Sequence, residues 1–492
     1  MSRPRLSKSK YVIGLQCPRR LWWTVHERGA PELVPDAALR AVFARGNRVG
    51  EVAREHVPGG VLIEIDWRRL SHAVRETAKV IADGASVIYE ACFAESGVFV
   101  AVDVLERAGD GWVLAEVKST TSAKATHIDD AAIQTHVVEA AGLSVERVEV
   151  MHLNRECVFP DLSNLFARTD VTEEVRAHLP EVPARVEELR DCLEGDLPDA
   201  EIGDRCKTPY DCPFMGRCWP ELPADHIGEL FRLGKKKREE LTDLGCETID
   251  AIPAETSLTD MQVRQREAVV TGEVVVEAGL PERIRDFELP LTYLDFEAIN
   301  PVIPVWPGCH PYGQVVVQFS VHHEDADGVV EHREWLAEPG RDPQEESIEE
   351  LLAATAGARR VAAYHASFER SRINELAKRF PQYAERLGDL AAKLIDLLPV
   401  VRGNVYHPGF HGSFSLKSVL PALVPEESYA HLAVADGYTA ATALEAYLLA
   451  PEAMSDAERE KTRRDLLAYC KQDTWSLVVL ARALRGLAGG AG

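Results

Sequence analysis

No stretch of about 20 apolar residues occurs in this 492-residue chain, so no segment reads as a membrane-crossing helix. The opening MSRPRLSKSK lacks the apolar segment of a secretion signal, and the expectation is a cytoplasmic protein with no membrane partner. No internal repeat is found, which excludes a repeat array. Positive charge is scarce: 55 lysines and arginines face 79 aspartates and glutamates, a formal net charge of −24. That balance argues against a polyanion held by the surface as a whole.

Two stretches run against it. Residues 1–30 hold Arg3, Arg5, Lys8, Lys10, Arg19, Arg20 and Arg28 against Glu27 alone, and Lys235, Lys236, Lys237 and Arg238 form a second basic knot. Ten cysteines in a reducing compartment do not suggest disulfides, and clustered ones point to metal or catalysis. Cys206, Cys212 and Cys218 cluster; Cys92, Cys157, Cys192, Cys246, Cys309 and Cys470 are scattered and read as buried thiols. At 54.4 kDa the chain is too long for one ordinary core, so two or three domains are expected.

Apolar spacing from Asp36 predicts a helix, followed by three strands from Ser86, Gly97 and Gly111, a helix from Asp129 and a strand from Val145. Gly109-Asp110-Gly111 marks a turn, so the three strands read as an antiparallel meander. After Pro281 a second pattern begins, with strands at Leu289, Gly313 and Val329, then helix and strand in alternation, and a long final helix through Asp465. The fold class is therefore mixed α/β (α+β), with segments 1–222, 223–280 and 281–492.

Asp103 lies in the second strand, and Glu116 and Lys118 in the third. Side chains alternate along a strand, so Glu116 and Lys118 share a face. Two carboxylates beside a lysine suit Mg²⁺ and a phosphate, because Mg²⁺ is a hard cation that takes oxygen ligands. The element order with these residues resembles the PD-(D/E)xK nuclease superfamily, in its RecB-like branch, over roughly residues 1–222. The resemblance implies a further metal ligand at Glu51 and an assisting Gln134; the tyrosine that usually follows the glutamine is replaced by Val138.

Several RecB-like nucleases tie the domain together with a 4Fe-4S cluster held by one cysteine before the core and three after it. The resemblance assigns Cys17, in LSKSKYVIGLQCPRRLWW, to the first position and Cys206, Cys212 and Cys218, in CKTPYDCPFMGRCW, to the others. Four thiolates also suit zinc, and the spacing here is wider than the family's, so both metals stay open.

In YLDFEAI, Asp295 and Glu297 share a strand face, and in YCKQDTWSLVVL, Tyr469 and Asp473 are adjacent on a helix face. An acid pair on a first strand with a late helical acid resembles RNase H-like exonucleases of the DEDD type, in their tyrosine subtype. Glu369, in YHASFER, stands where those enzymes carry the middle aspartate, and His365 where they carry asparagine. IDLLPVV, with Asp396, and GSFSLKSVL, with Lys417, also resemble that family's helical region.

Between the two, LFRLGKKKREELTDLGCETIDAIP is similar to helix-hairpin-helix-like modules, in which glycine lets backbone amides approach phosphate. Nearly the whole chain resembles an uncharacterised bacterial family joining a RecB-like nuclease to an RNase H-like domain. The resemblance implies a Mg²⁺- or Mn²⁺-dependent nuclease, exonucleolytic on DNA, partnered by nucleic acid and by a helicase or a repair or defence complex. The alternatives are an RNA exonuclease and an adaptor that binds nucleic acid without cutting it.

Overall fold

The computed structural model describes residues 6–427 and 437–490, so Arg3 and Arg5 lie outside the described residues. The fold is mixed α+β, in two units: Met1–Pro220 with Pro301–Gly313, and Glu221–Asn300 with Gln314–Gly492. Among the described residues no helix is long and apolar enough to cross a membrane.

In the first unit β1 (Leu6–Ser7) leads into α1 (Lys8–Gln16) and α2 (Pro18–His26), and then come α3 (Ala37–His56), β2 (Val61–Leu62) and α4 (Leu70–Ala82). The meander is β3 (Val87–Glu95), β4 (Val98–Ala108) and β5 (Gly111–Lys118), followed by α5 (Ala125–Ala140), β6 (Val145–Leu153) and β7 (Phe166–Asp170). These strands form a seven-stranded sheet in the order β2-β3-β4-β5-β6-β7, with β1 beside β4. Ser96 and Gly97 both take positive φ, as a tight hairpin between right-twisted strands requires. One face of the sheet buries Leu105, Leu114 and Val150 against Ile133 and Val137 of α5, and Val138 is fully buried there. α5 begins four residues before Asp129, where the His127 ring accepts the Lys124 amide at 3.2 Å.

The β4/β5 ladder ends at Val104 and Ala115, and the next rung would pair Asp103 with Glu116. Asp103 Oδ2 instead accepts the Val117 amide at 2.7 Å. On the length of β4 beyond this rung, β1 runs parallel to it, pairing Leu6 with Val98 and Ser7 with Phe99. The Ser7 hydroxyl then caps α1, which fixes where Lys8 emerges.

Pro301–Gly313 follows the first strand of the second half yet belongs to the first unit. Val302 is buried with Val49, Val52, Leu153 and Leu165, and Phe159 exchanges backbone hydrogen bonds with Gly308 and Cys309 at 3.0 and 2.9 Å.

The second unit contains β8 (Val275–Val276), β9 (Leu291–Ile299), β10 (Val315–Glu324), β11 (Val330–Leu336), β12 (Val361–Ala363), β13 (Leu394–Asp396) and β14 (Val405–Tyr406). Its main sheet runs β11-β10-β9-β12-β13, antiparallel across the first three strands and parallel from β9 to β13. The helix Asp456–Gly490 is locked to β10 by polar contacts: the Gln318 amide reaches the Leu466 carbonyl at 2.9 Å, and His322 meets the Thr474 hydroxyl at 2.8 Å. Arg482 and Arg485 both pair with buried Glu324, at 2.7 and 2.9 Å. The stretch expected as a separate connector, 223–280, is part of this unit. Its helices Lys235–Asp243 and Asp260–Thr271 pack around Ile227, Leu241, Ile249 and Ile252, and Arg264 donates to the Arg402 carbonyl at 2.9 Å.

Candidate functional site

In the first unit, register brings Glu90, Asp103 and Glu116 to one level across β3, β4 and β5. Glu116 is 1% exposed and its carboxylate is fully engaged. Oε1 takes Lys8 at 2.7 Å and Lys118 at 2.8 Å, while Oε2 accepts the Gln134 amide at 2.6 Å. Lys118 also pairs with Asp130, one turn before Gln134 on α5. Burial opposes the Glu116 charge, but Lys118 and Lys8 outweigh it and hold the carboxyl well below its usual range. Asp103 goes the other way, pushed up to about 7 by burial and then by the Glu116 charge, so a proton entering this pair sits on Asp103.

Beside Asp103 opens a cavity of 340 Å³ lined by Asn47, Gly50, Glu51, Arg54 and Glu90. Glu51 lies on its wall, exposed and paired with Arg48 at 3.1 Å, rather than among the buried acids. Sequence reasoning missed Lys8, Glu90 and Asp130. An acid inside the apolar run VIYEACF was a usable signal for Glu90; nothing local marks Lys8, which meets Glu116 across 108 positions.

In the second unit, Asp295, Glu297 and Asp473 bring carboxylate oxygens within 4.8 Å of one another. Period two on β9 sends both acids to one face while Leu294 and Phe296 are buried on the other. Burial and then Asp473 raise Asp295 far above its usual range, and the same two causes push Glu297 up to about 8. Glu369, at the start of the helix Ser367–Arg379, is buried, is also pushed up to about 8 by burial, and its Oε2 has no hydrogen-bond partner. Its charge is felt at both Asp295 and Glu297.

Tyr469 is one turn before Asp473, and burial with the Asp473 charge raises its phenol. Lys417 donates to the Tyr469 hydroxyl at 3.1 Å and lies over its ring. Asp396 accepts from the amides of His365 and Leu398, each at 2.9 Å, and so holds the chain that carries Glu369.

The cysteines converge in the first unit. Cys212 lies in the field of Cys17 and Cys206, its amide bonds the Cys206 carbonyl at 2.7 Å, and Arg19 reaches Cys218 at 3.9 Å while also facing Cys17. Gln16 ties α1 to this loop through the Arg205 and Tyr210 carbonyls at 2.7 and 2.6 Å. Cys192, which reads as a scattered thiol, also lies close enough to Cys17 to feel its charge. Among the described residues, the groups with three ligand atoms within 4.8 Å are Asp295–Glu297–Asp473 and Asp225–Glu229–His411.

Fold and side chains together define an α+β protein with one buried acidic cluster in each unit. A domain of unknown function, DUF2779, matches residues 292–415, which hold Asp295, Glu297 and Glu369 but not Tyr469 or Asp473. No curated protein matches the chain. Among solved structures, it is similar to the family B DNA polymerase from the hyperthermophilic archaeon Pyrobaculum calidifontis, at 12% identity and a TM-score of 0.23. That alignment covers 76% of this chain and 42% of the polymerase, so the chain spans less than half of that protein's length.

Proposed function

We propose that the protein is a metal-dependent nuclease, acting on DNA from an end, with a PD-(D/E)xK-type site at Asp103, Glu116 and Lys118 and a DEDD-type site at Asp295, Glu297, Glu369 and Asp473. The observation that carries this is the second cluster. Three carboxylates share less than 5 Å, a fourth has a buried oxygen without a partner, and such mutual repulsion is relieved by divalent cations. When bound, Mg²⁺ or Mn²⁺ would polarise a phosphoryl oxygen and stabilise charge developing during in-line displacement. Tyr469, held by Lys417, orients the attacking water; in the first site Lys118 and Gln134 fix Glu116. The test is cleavage of labelled single-stranded and duplex DNA and RNA with Mg²⁺ or Mn²⁺ by wild type, Glu116→Ala, Asp295→Ala and the double variant. Each single variant is expected to lose one activity and the double variant both; three variants that cut like wild type would refute the proposal.

The four converging thiols fit a 4Fe-4S cluster. Four thiolates suit a single zinc as well, and zinc is the alternative occupant. The cluster would act as a staple, joining Cys17 near the start of the unit to the loop after its last helix.

Lys8 occupies an oxygen of Glu116 that a cation would claim, so Lys8→Met is expected to tighten Mn²⁺ binding at the first site by about tenfold or more, as for removal of one charge-assisted bond. Titration by electron paramagnetic resonance in an Asp295→Asn background reads this site. Equal or weaker Mn²⁺ binding would show that Lys8 does not compete.

A further inference from the structure

α3 is longer than its packing accounts for. From Ala37 to Arg48 none of its residues is buried, whereas Val49, Val52 and Ala53 are. Leu39, Val42 and Phe43 are exposed, Phe43 at 53%. With about 3.6 residues per turn, Phe43 shares a face with Asn47, Gly50 and Arg54, and those three line the cavity beside Asp103. Phe43 therefore stands one turn outward along the wall of the first site.

Gly46 and Gly50 lie on the same face, also at the cavity, where glycine weakens a helix relative to alanine. A Cβ at either position would meet nothing within 4 Å, so no neighbour in the chain requires the missing side chains. Bare backbone turned toward a cavity suits the close approach of a ligand. The helix also carries Arg40, Arg45, Arg48 and Arg54 against Glu51 and Glu55, a cationic excess in a chain of net charge −24.

We infer that the outward half of α3 is a platform for single-stranded nucleic acid. An unpaired base stacks on Phe43, the sugar-phosphate backbone passes over Gly46 and Gly50, and Arg40 and Arg54, on the same side of the helix, flank it on the way to Asp103 and Glu116. This rests on the nuclease reading of the first site and adds the strand form. An unpaired base can offer its face to an exposed aromatic ring, and a base inside a duplex cannot.

The test is fluorescence anisotropy with a labelled oligothymidylate and a labelled duplex, in Ca²⁺ so that neither is cut. Phe43→Ala is expected to weaken oligothymidylate binding by about tenfold, with a smaller effect on duplex. Gly50→Leu is expected to keep or raise the Tm, because leucine is the better helix former, while weakening oligothymidylate binding by a similar factor. A purely structural role does not produce that pair of results. Wild-type affinity in both variants, from a protein that cuts single strands, overturns the platform and leaves the nuclease reading intact. A wild-type protein that neither binds nor cuts nucleic acid removes both. A change of oligomeric state in Phe43→Ala with binding unchanged also overturns it, and assigns the apolar face to a protein interface.

Discussion

Asp295→Asn is expected to lower cleavage by the second site by at least about 100-fold, measured in a Glu116→Gln background, since even changes around metal ligands cost roughly 10–100-fold. The same substitution is expected to stabilise the metal-free protein at pH 8. Asp295 is buried against Asp473 and Glu297, and Glu297 has its pKa pushed up to about 8. Between the unfolded value near 4.5 and the folded value near 8, the folded state binds more protons than the unfolded one. Stability therefore falls as pH rises through that window, and the penalty is complete above it.

Melting curves of the metal-free wild type should show Tm declining from about pH 5 to pH 8, with a shallower decline in Asp295→Asn. Mg²⁺ should restore the wild-type Tm and affect the variant less. A variant that cuts normally, or whose Tm follows the wild-type pH profile, would show that these carboxylates neither hold metal nor repel one another.

Cys17→Ser is expected to be the most destabilising single change in the first unit. Losing a structural metal group removes at least about 4 kcal/mol, against about 1 kcal/mol for Cys157→Ala, a buried thiol outside the cluster. The expected readout is early proteolysis within residues 1–220 while 314–427 stays protected, together with loss of iron and of the cluster's visible absorbance. Equal effects of Cys17→Ser and Cys157→Ala would mean that the four thiols hold nothing. Cys192, near Cys17, is the informative extra control.

Local periodicity made much of both sites legible. Alternation placed Glu116 with Lys118 and Asp295 with Glu297, and helical spacing placed Tyr469 beside Asp473. The three-strand meander and the antiparallel-then-parallel second sheet follow from the same patterns. Lys8 was not legible, because its position depends on β1 pairing with β4 where β5 has diverged, a contact between distant parts of the chain. The early start of α5 was hidden because a lysine, Lys124, stands at its N-cap rather than a serine, threonine or aspartate, and the His127 ring in the first turn accepts the Lys124 amide. Residues 301–313 fall inside the sequence segment 281–492, and only tertiary contacts reveal Val302 in the first unit's core.

That short segment also sets an order of events during synthesis. Domains generally fold as units, with the N-terminal one first as the chain emerges. Here the first unit is incomplete until Gly313 has left the ribosome, by which time the whole of β9 has been made. For that interval Val49, Val52 and Leu165 lack the Val302 side chain that covers them, and β9 lacks its β10 partner. Cutting the gene near codon 222 would make the interval permanent for the first product, leaving apolar surface bare where the intact chain supplies its own cover.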